Sequence, residues 1–349
     1  MIKRRSIIML VIITLLIGTF VGCNKTPATS GEEKAPKETV APVEQTSSVD
    51  FPKGPVRIIV QYGPGGGVDV TARLLAKHAE KYLGTNIVVE NVTGGSGVVG
   101  LTTLASSKPD GYTLGLIFPN TAVEGSILEG VNYNIDSFDP IVQINFDPAF
   151  MVAKKGGEYD VPLIEILERT KEDQLNMGIG ALWQAFDFVK LLLAQNEGAE
   201  FTRVAYEGGA AVTTAIASGD LDLGMQFPNE WISYYNTGDV VGLAVASEER
   251  SPSFPDVPTF KELGVDIGNM GVRRFLAAPK GLDPEILNML EDAFLQALND
   301  PELIADYKAA GMSVIPAGTE EARETLAKEA NELKEIVEKA GIKPGDAPK

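Results

Sequence analysis

The chain has 349 residues, 44% hydrophobic and 22% charged, and its 48 acidic side chains outnumber 30 basic ones for a formal charge of −18. That balance argues against a nucleic-acid partner, because such affinity rests on lysine and arginine neutralising phosphates. The single cysteine, Cys23, excludes an internal disulfide and a cysteine-rich zinc site. The single histidine, His78, excludes a multi-histidine metal site and leaves one place for a Ser-His or Cys-His dyad.

Met1 to Arg5 is a short basic head, and Ser6 to Phe20 is almost wholly apolar. This is the pattern of a secretory signal peptide, and the run is short for a helix that stays in the bilayer. It ends at Phe20-Val21-Gly22-Cys23, which resembles a bacterial lipobox, with Phe20 where leucine is usual. Residues 1–22 therefore read as a lipoprotein signal peptide and Cys23 as the lipidated new N-terminus. The alternative is a retained anchor with an unmodified cysteine. Loss of Lys3, Arg4 and Arg5 would take the charge from −18 to −21. Residues 23–50, rich in Thr, Pro, Ser, Glu and Lys without apolar periodicity, read as a disordered tether.

From Phe51 the texture changes, and the length predicts about two domains overall. Strands are expected at Val56–Val60, Ile87–Val92, Tyr112–Phe118, Leu175–Ile179, Thr202–Tyr206 and Leu221–Met225. Helices are expected at Asp69–Leu83, Val98–Ser107, Leu163–Lys171, Gln184–Glu197 and Ala210–Ser218. Such alternation predicts an α/β fold with mostly parallel sheets. The last 65 or so residues read as helical over Pro284–Leu298, Pro301–Ala310 and Thr319–Ala340. Leu326, Leu333, Ile336, Val337 and Ala340 fall on one side of the final helix, as expected of a helix packed on the body.

Glycines cluster where strands end and helices begin. Tyr62-Gly63-Pro64-Gly65-Gly66-Gly67-Val68-Asp69 is the first such segment, and Thr93-Gly94-Gly95-Ser96-Gly97 the second. Gly178-Ile179-Gly180-Ala181-Leu182-Trp183-Gln184 and Tyr206-Glu207-Gly208-Gly209 follow. Glycine lets the backbone approach a ligand closely, and the free N–H groups of a helix N-terminus favour an anion. The first segment lacks the Gly-Lys-Ser/Thr of a P-loop and the spacing of the dinucleotide fingerprint. Asp69 stands at the helix start, where capping the helix is the simpler reading and ligand contact the other. In open α/β sheets ligands sit outside the carboxyl ends of strands, so several such loops could face each other across a cleft.

The segments Tyr62 to Asp69 with Ala72-Arg73, Val89-Glu90-Asn91, Pro109 to Leu114 and Ser218 to Asp222 occur in that order. Ser251-Pro252, Pro255 to Thr259 and Ala278 to Gly281 continue the series. Together they resemble the substrate-binding proteins of the tripartite tricarboxylate transporter family, the TctC/Bug group, from about Phe51 to Ile342. The resemblance implies a two-lobed periplasmic-binding-protein fold of type II with the ligand cleft between the lobes. It places residues 51–150 plus 271–349 in lobe one and 151–270 in lobe two. It implies capture of a small carboxylate and delivery to membrane permease subunits driven by an ion gradient. No enzyme activity, cofactor or metal is expected. The protein is expected to be an extracytoplasmic monomer at the cell surface or in the periplasm, lipid-anchored through Cys23.

The resemblance also implies where the carboxylate is gripped: Gly65 to Asp69 on one lobe, Gly178 to Phe186 on the other, through backbone amides and waters. The candidate ligand residues are Tyr62, Gly65, Gly66, Gly67, Val68, Asp69, Asn120 and Thr121 on the first lobe. On the second they are Gly180, Ala181, Leu182, Trp183, Phe186 and Tyr206. Tyr62 and Tyr206 would flank the anion, and Trp183 and Phe186 would cover the apolar part of the ligand. Arg274 falls where part of the family has an arginine; pairing with the carboxylate and a surface or inter-lobe salt bridge are both open. Val68 stands where threonine is common, and the second loop has exchanged hydroxyls for Ala181, Leu182, Trp183 and Phe186. This points from citrate-like polycarboxylates toward a less polar monocarboxylate. The negative body repels an anion only within about 8–10 Å at physiological salt, so local N–H groups decide at contact.

Two other functions share some of these features. A lipoprotein that senses the same ligand for a membrane kinase would have the same site. An extracytoplasmic hydrolase could use the paired acids Asp220 and Asp222, although these read more simply as a solvated turn, with no nucleophile elbow or metal-ligand cluster beside them.

Overall fold

Val56–Val60, a run of aliphatic residues interrupted only by Arg57, forms β1, with Ile58 and Val60 facing one apolar cluster and Ile59 the other. A strand covered on both faces reads as continuous apolar sequence rather than as alternation. This computed structural model describes residues 49–180, 183–206, 208–343 and 345–346, all within the unit Ser47–Lys349. The expected signal peptide, Cys23, the expected tether up to residue 48, and Ala181 and Leu182 lie outside the described residues.

β1 is followed by α1 (Gly67–Leu83), β2 (Ile87–Asn91), α2 (Val98–Ala105), β3 (Thr113–Ile117), α3 (Thr121–Ile127) and β4 (Phe138–Pro148). Then come β5 (Phe150–Lys154), α4 (Leu163–Arg169), β6 (Leu175–Ile179), α5 (Ala185–Glu197), β7 (Phe201–Ala205), α6 (Gly209–Ser218), β8 (Leu223–Gln226), α7 (Pro228–Thr237) and β9 (Val240–Val245). β10 (Gly271–Pro279) precedes α8 (Pro284–Leu298), α9 (Pro301–Ala309) and α10 (Thr319–Ala340). One sheet has the order β2-β1-β3-β10-β4 and the other β7-β6-β8-β5-β9; each sheet and its helices form one lobe.

The sheets are mixed, where mostly parallel ones were expected. β10 runs antiparallel to β3 and β4, and β5 antiparallel to β8 and β9. Parallel neighbours need a crossover connection. β5 enters its sheet straight from β4 across Ala149 alone, and β10 arrives from the other sheet, so neither is bound by that geometry. At the two crossings three backbone bonds close a ring: Ala149 N–H to Met270 O at 2.9 Å, Met270 N–H to Ala246 O at 3.0 Å and Ala246 N–H to Ala149 O at 2.8 Å.

The C-terminal helices cover the first sheet. Leu290, Phe294, Leu298, Leu303 and Tyr307 share a core with Ile58, Val60, Leu75 and Ala79. Asp283 and Asp300 cap α8 and α9 by accepting the N–H groups of Glu285 and Glu302 at 2.8 and 2.9 Å. In α10, Leu326 faces the β3–β10 layer, while Val337, with Leu333 and Ile336 against it, joins a cluster that also holds Trp183 and Phe188 of the second lobe.

Candidate functional site

The loop after β1 opens α1 with no capping side chain, so main-chain N–H groups of the first helical turn are left to other acceptors. Gly65 has φ +81°, a left-handed conformation that glycine alone adopts without strain. Gly67 is required for a different reason: a Cβ there would stand 2.8 Å from Arg274 Nη2 and 2.9 Å from Asn229 Oδ1. The helix start is thus pressed against a guanidinium and an amide carbonyl.

Asp69 turns back into its own loop. It accepts from Gly65 N–H at 2.9 Å, Arg73 Nε at 3.0 Å and Asn91 Nδ2 at 2.9 Å. Burial works to raise its pKa, but the Arg73 bond and these other donors outweigh it and hold the carboxyl below its usual range.

In the second lobe Gly180 ends β6 and Trp183 leads into α5. Asp187 accepts the Trp183 N–H at 2.7 Å and Arg203 Nε at 3.1 Å. Here burial outweighs Arg203, and the Asp187 carboxyl is pushed up. Trp183 has φ +55°, a costly conformation for a large side chain. Its indole is 2% exposed and packs with Val123, Ile127, Phe188 and Val337.

A cavity of about 1020 Å³ lies between these loops. Tyr62, Gly65, Gly66, Gly67, Val68, Asn120, Gly180, Phe186, Tyr206 and Arg274 are in its wall. Asp69, Thr121 and Trp183 are not. Asp69 is engaged by its loop. Thr121 is fully buried, with its hydroxyl 3.4 Å from the Phe118 N–H. Trp183, expected over the apolar part of a ligand, instead faces α3 and α10, where four aliphatic and aromatic neighbours enclose it. The paired acids Asp220 and Asp222 lie outside the wall as well; Asp220 accepts from Ser218 Oγ and Asp222 from Asn176 N–H.

Arg274 is 0% exposed. Its Nη1 is ion-paired with Asp147, while Nε and Nη2 find no hydrogen-bond partner among the described residues. Its guanidinium carbon lies 6.0 Å from the Phe227 ring centroid. The salt bridge of Arg274 is thus neither at the surface nor between the lobes, as one reading has it, but buried within its own sheet, where Asp147 lies on the neighbouring strand; its other two nitrogens belong to a side chain in the cavity wall. Asp147 is wholly buried, and that burial outweighs Arg274 to push its carboxyl up.

Several wall residues were not singled out from the sequence: Gln61, Gln184, Phe227, Asn229 and Glu230. Glu230 accepts the Phe227 N–H at 2.8 Å, and its carboxyl carbon would be 2.1 Å from a Cβ at Gly209. Burial pushes its pKa up to about 7, against the Phe227 bond and Arg274. The signal was present: Pro228 at the first helical position and Glu230 two residues on, straight after a buried strand, mark a helix start at a strand's carboxyl end. On the other side, burial raises the Tyr62 hydroxyl, Glu124 adds to that, and a hydrogen bond with Gln184 of the opposite lobe opposes it. Glu124, beneath, accepts the Tyr133 hydroxyl at 2.5 Å and Asn120 Nδ2 at 3.1 Å. Burial pushes it to about 7 despite the Tyr133 bond.

Among the described residues one group has metal-ligand spacing: His78, Asp300 and Glu302. It is outside the cavity wall, and two of its members, His78 and Asp300, are engaged elsewhere. His78 contacts Asp306 at 2.9 Å, and Asp300 pairs with Lys81, takes the Tyr82 hydroxyl and caps α9. No described helix is long and apolar enough to cross a membrane.

Residues 71–342 match the family described as tripartite tricarboxylate transporter family receptor, TctC. The chain is 30% identical over 310 residues to a UPF0065 protein in the gbd 5' region of Cupriavidus necator, covering 85% of this chain and 91% of that one. It is similar to a solved TctC solute binding protein from Polaromonas, with 28% identity, a TM-score of 0.66 and coverage of 83% and 99% of the two chains. It is also similar to MatC from Rhodopseudomonas palustris with bound malate, at 25% identity, TM-score 0.73 and coverage of 82% and 100%.

Proposed function

We propose a function from one premise: this chain belongs to the tripartite tricarboxylate transporter family receptors, TctC. Such a receptor is a solute-binding protein and not an enzyme. In our reading its cavity captures a small carboxylate outside the cytoplasm and delivers it to the membrane permease subunits of a tripartite tricarboxylate-type transporter. Residues 51–150 with 271–349 act as one lobe and 151–270 as the other. Cys23 carries the lipid that holds the protein at the membrane, and residues 23–50 are the tether.

One observation carries this reading: a fully buried arginine with two unpartnered nitrogens stands against the uncapped start of α1, inside a cavity walled by both lobes. The carboxylate would sit between Arg274 and the amides of Gly66, Gly67 and Val68, with Gly180 and its loop facing from the other lobe. The bound malate of MatC supports an anionic ligand. Closure is stabilised only as far as the ligand prefers the closed arrangement. Among the described residues the wall contains no second cation beside Arg274, which favours a monocarboxylate over a polycarboxylate.

Calorimetry of the purified protein against a panel of mono- and dicarboxylates tests this, with Gly67→Ala as the probe. Its methyl would enter the space facing Arg274 Nη2. Loss of one hydrogen bond to a charged group costs about 1.5–3 kcal/mol, so affinity should fall at least about tenfold. A folded Gly67→Ala protein with full affinity would place the carboxylate elsewhere.

A further inference from the structure

The wall around Arg274 offers acceptors that a plain carboxylate, itself an acceptor, cannot meet. Asn229 Oδ1 is buried and has no partner among the described residues, and Gln61 Oε1 is in the same condition. The Glu230 carboxylate accepts the Phe227 N–H and makes no other hydrogen bond or ion pair among the described residues. Three of the groups in this wall are linked by position. Asn229 Oδ1 and Arg274 Nη2 both lie within 3 Å of the point a Gly67 Cβ would occupy, and Glu230 is the next residue in the same first turn of α7.

The charges point the same way. Arg274 is already matched by Asp147. A carboxylate ligand added beside Glu230 would gather three carboxyl groups around one guanidinium, in surroundings with little water to screen any charge they carry. A ligand that also brought a positive charge, adjacent to its carboxylate, would meet Glu230 and Asn229 with donors while Arg274 took the anion.

Resting on the carboxylate reading above, we propose that the ligand is an α-amino acid with an apolar or aromatic side chain. Its ammonium is held by Glu230 and Asn229, and its carboxylate by Arg274 and the start of α1. The two charges of an α-amino acid are one carbon apart, which suits the convergence of Arg274 Nη2 and Asn229 Oδ1 on Gly67, with Glu230 the next residue of the same helical turn. Phe146, Phe186, Phe188, Phe227, Met270 and Val272 complete the wall on the apolar side. Among the described wall residues Arg274 is the single cation, so an acidic side chain would find no second positive charge there, and a volume of about 1020 Å³ has room for an aromatic ring.

Calorimetry with L-phenylalanine, 3-phenylpropanoate and L-phenylalaninamide, and with L-leucine and 4-methylpentanoate, separates the parts. The amino acids should bind at least about tenfold more tightly than the acids that lack nitrogen, the worth of one charged hydrogen bond. The amide, which lacks the carboxylate, should lose as much or more. Glu230→Gln should abolish the preference for the amino acid while leaving 3-phenylpropanoate bound, which also shows that the variant folds. Should that variant fail to fold, the comparison of the five ligands on the unaltered protein decides. Equal or tighter binding of the acids without nitrogen would overturn the ammonium site and leave the carboxylate reading standing. Tighter binding of a dicarboxylate from the wider panel would do the same. Binding of no carboxylate at all would overturn both.

Discussion

In lobe one, Asp69 is the third residue of α1 and accepts the N–H of Gly65, four residues before it, together with Arg73. In lobe two, Asp187 is the third residue of α5 and accepts the N–H of Trp183, again four residues before it, together with Arg203. The same carboxylate brace holds both loops, in different surroundings. The Arg73 side chain is 50% exposed, whereas Arg203 and Asp187 are 9% and 0% exposed. Correspondingly, Asp69 is held below the usual carboxylate range and Asp187 is pushed above it. The first loop is glycine, open to the cavity and rich in main-chain donors. The second sends its largest side chain away from the cavity and into the seam with the other lobe. One brace thus serves two ends: presenting donors to a ligand, and fixing where the lobes meet.

Removing the braces should separate them most. Asp187→Ala removes a fully buried carboxylate and orphans the Trp183 N–H in a buried site, which costs about 1–3 kcal/mol for the unsatisfied donor alone. Asp69→Ala leaves Arg73 free to turn to water, and a cost of about 1 kcal/mol is expected. Urea unfolding of the two variants checks this; equal costs would show that burial does not distinguish the two sites.

The seam is tested next. Trp183→Ala opens a large apolar cavity, and alanine keeps the Cβ, so the left-handed strain at this position stays. A loss of about 3–5 kcal/mol is expected. With it should come a larger radius of gyration by small-angle scattering before any ligand is added, because Trp183 packs on α3 and α10 of the opposite lobe. Unchanged scattering and stability would remove the seam from the account of closure.

Smallest in any single step is a pH effect with one source in each lobe. Glu124 and Glu230 are both pushed up to about 7, above the ordinary value of an unfolded glutamate. The folded state therefore holds these protons more tightly. Their contribution to stability is fullest below the unfolded pKa and falls as pH rises from there through 7. Each should supply a slope on the order of 1 kcal/mol per pH unit over that window. Denaturant unfolding from pH 5 to 8 should show Glu124→Gln with a shallower decline than the parent protein. An identical slope would mean that Glu124 is ionised throughout.

The strand–glycine–helix units were legible because local chemistry dictates them. Val56–Val60 is aliphatic apart from Arg57, Leu175–Ile179 alternates Leu, Met and Ile with Asn and Gly, and a helix start without a side-chain cap needs glycine for close approach. The capped C-terminal helices were legible for similar reasons. β4 was not, because Asp139, Gln143, Asn145 and Asp147 break its apolar pattern and are nonetheless buried. Three of them depend on a partner distant in sequence: Asp139 on Lys280, Gly281 and Leu282, Gln143 on Ile315, and Asp147, which also takes the Asn145 amide, on Arg274. The place of Trp183 was hidden for the same reason, since three of its neighbours belong to the other lobe. Glu230 escaped notice because its environment is made by Gly209 and Arg274, neither near it in sequence.

The ring of backbone bonds joining Ala149, Ala246 and Met270 sets the mechanics of the joint. Beside it, a Cβ at Gly271 would stand only 2.4 Å from Asp147 O, so the crossing strands are in near contact with no space for one to slide past the other. What remains is twist of the segments on either side, the action of a leaf spring rather than of a slack cord. A joint of this kind is already ordered by folding. The ligand does not have to gather two loosely strung halves, and more of its contact energy is left to appear as affinity.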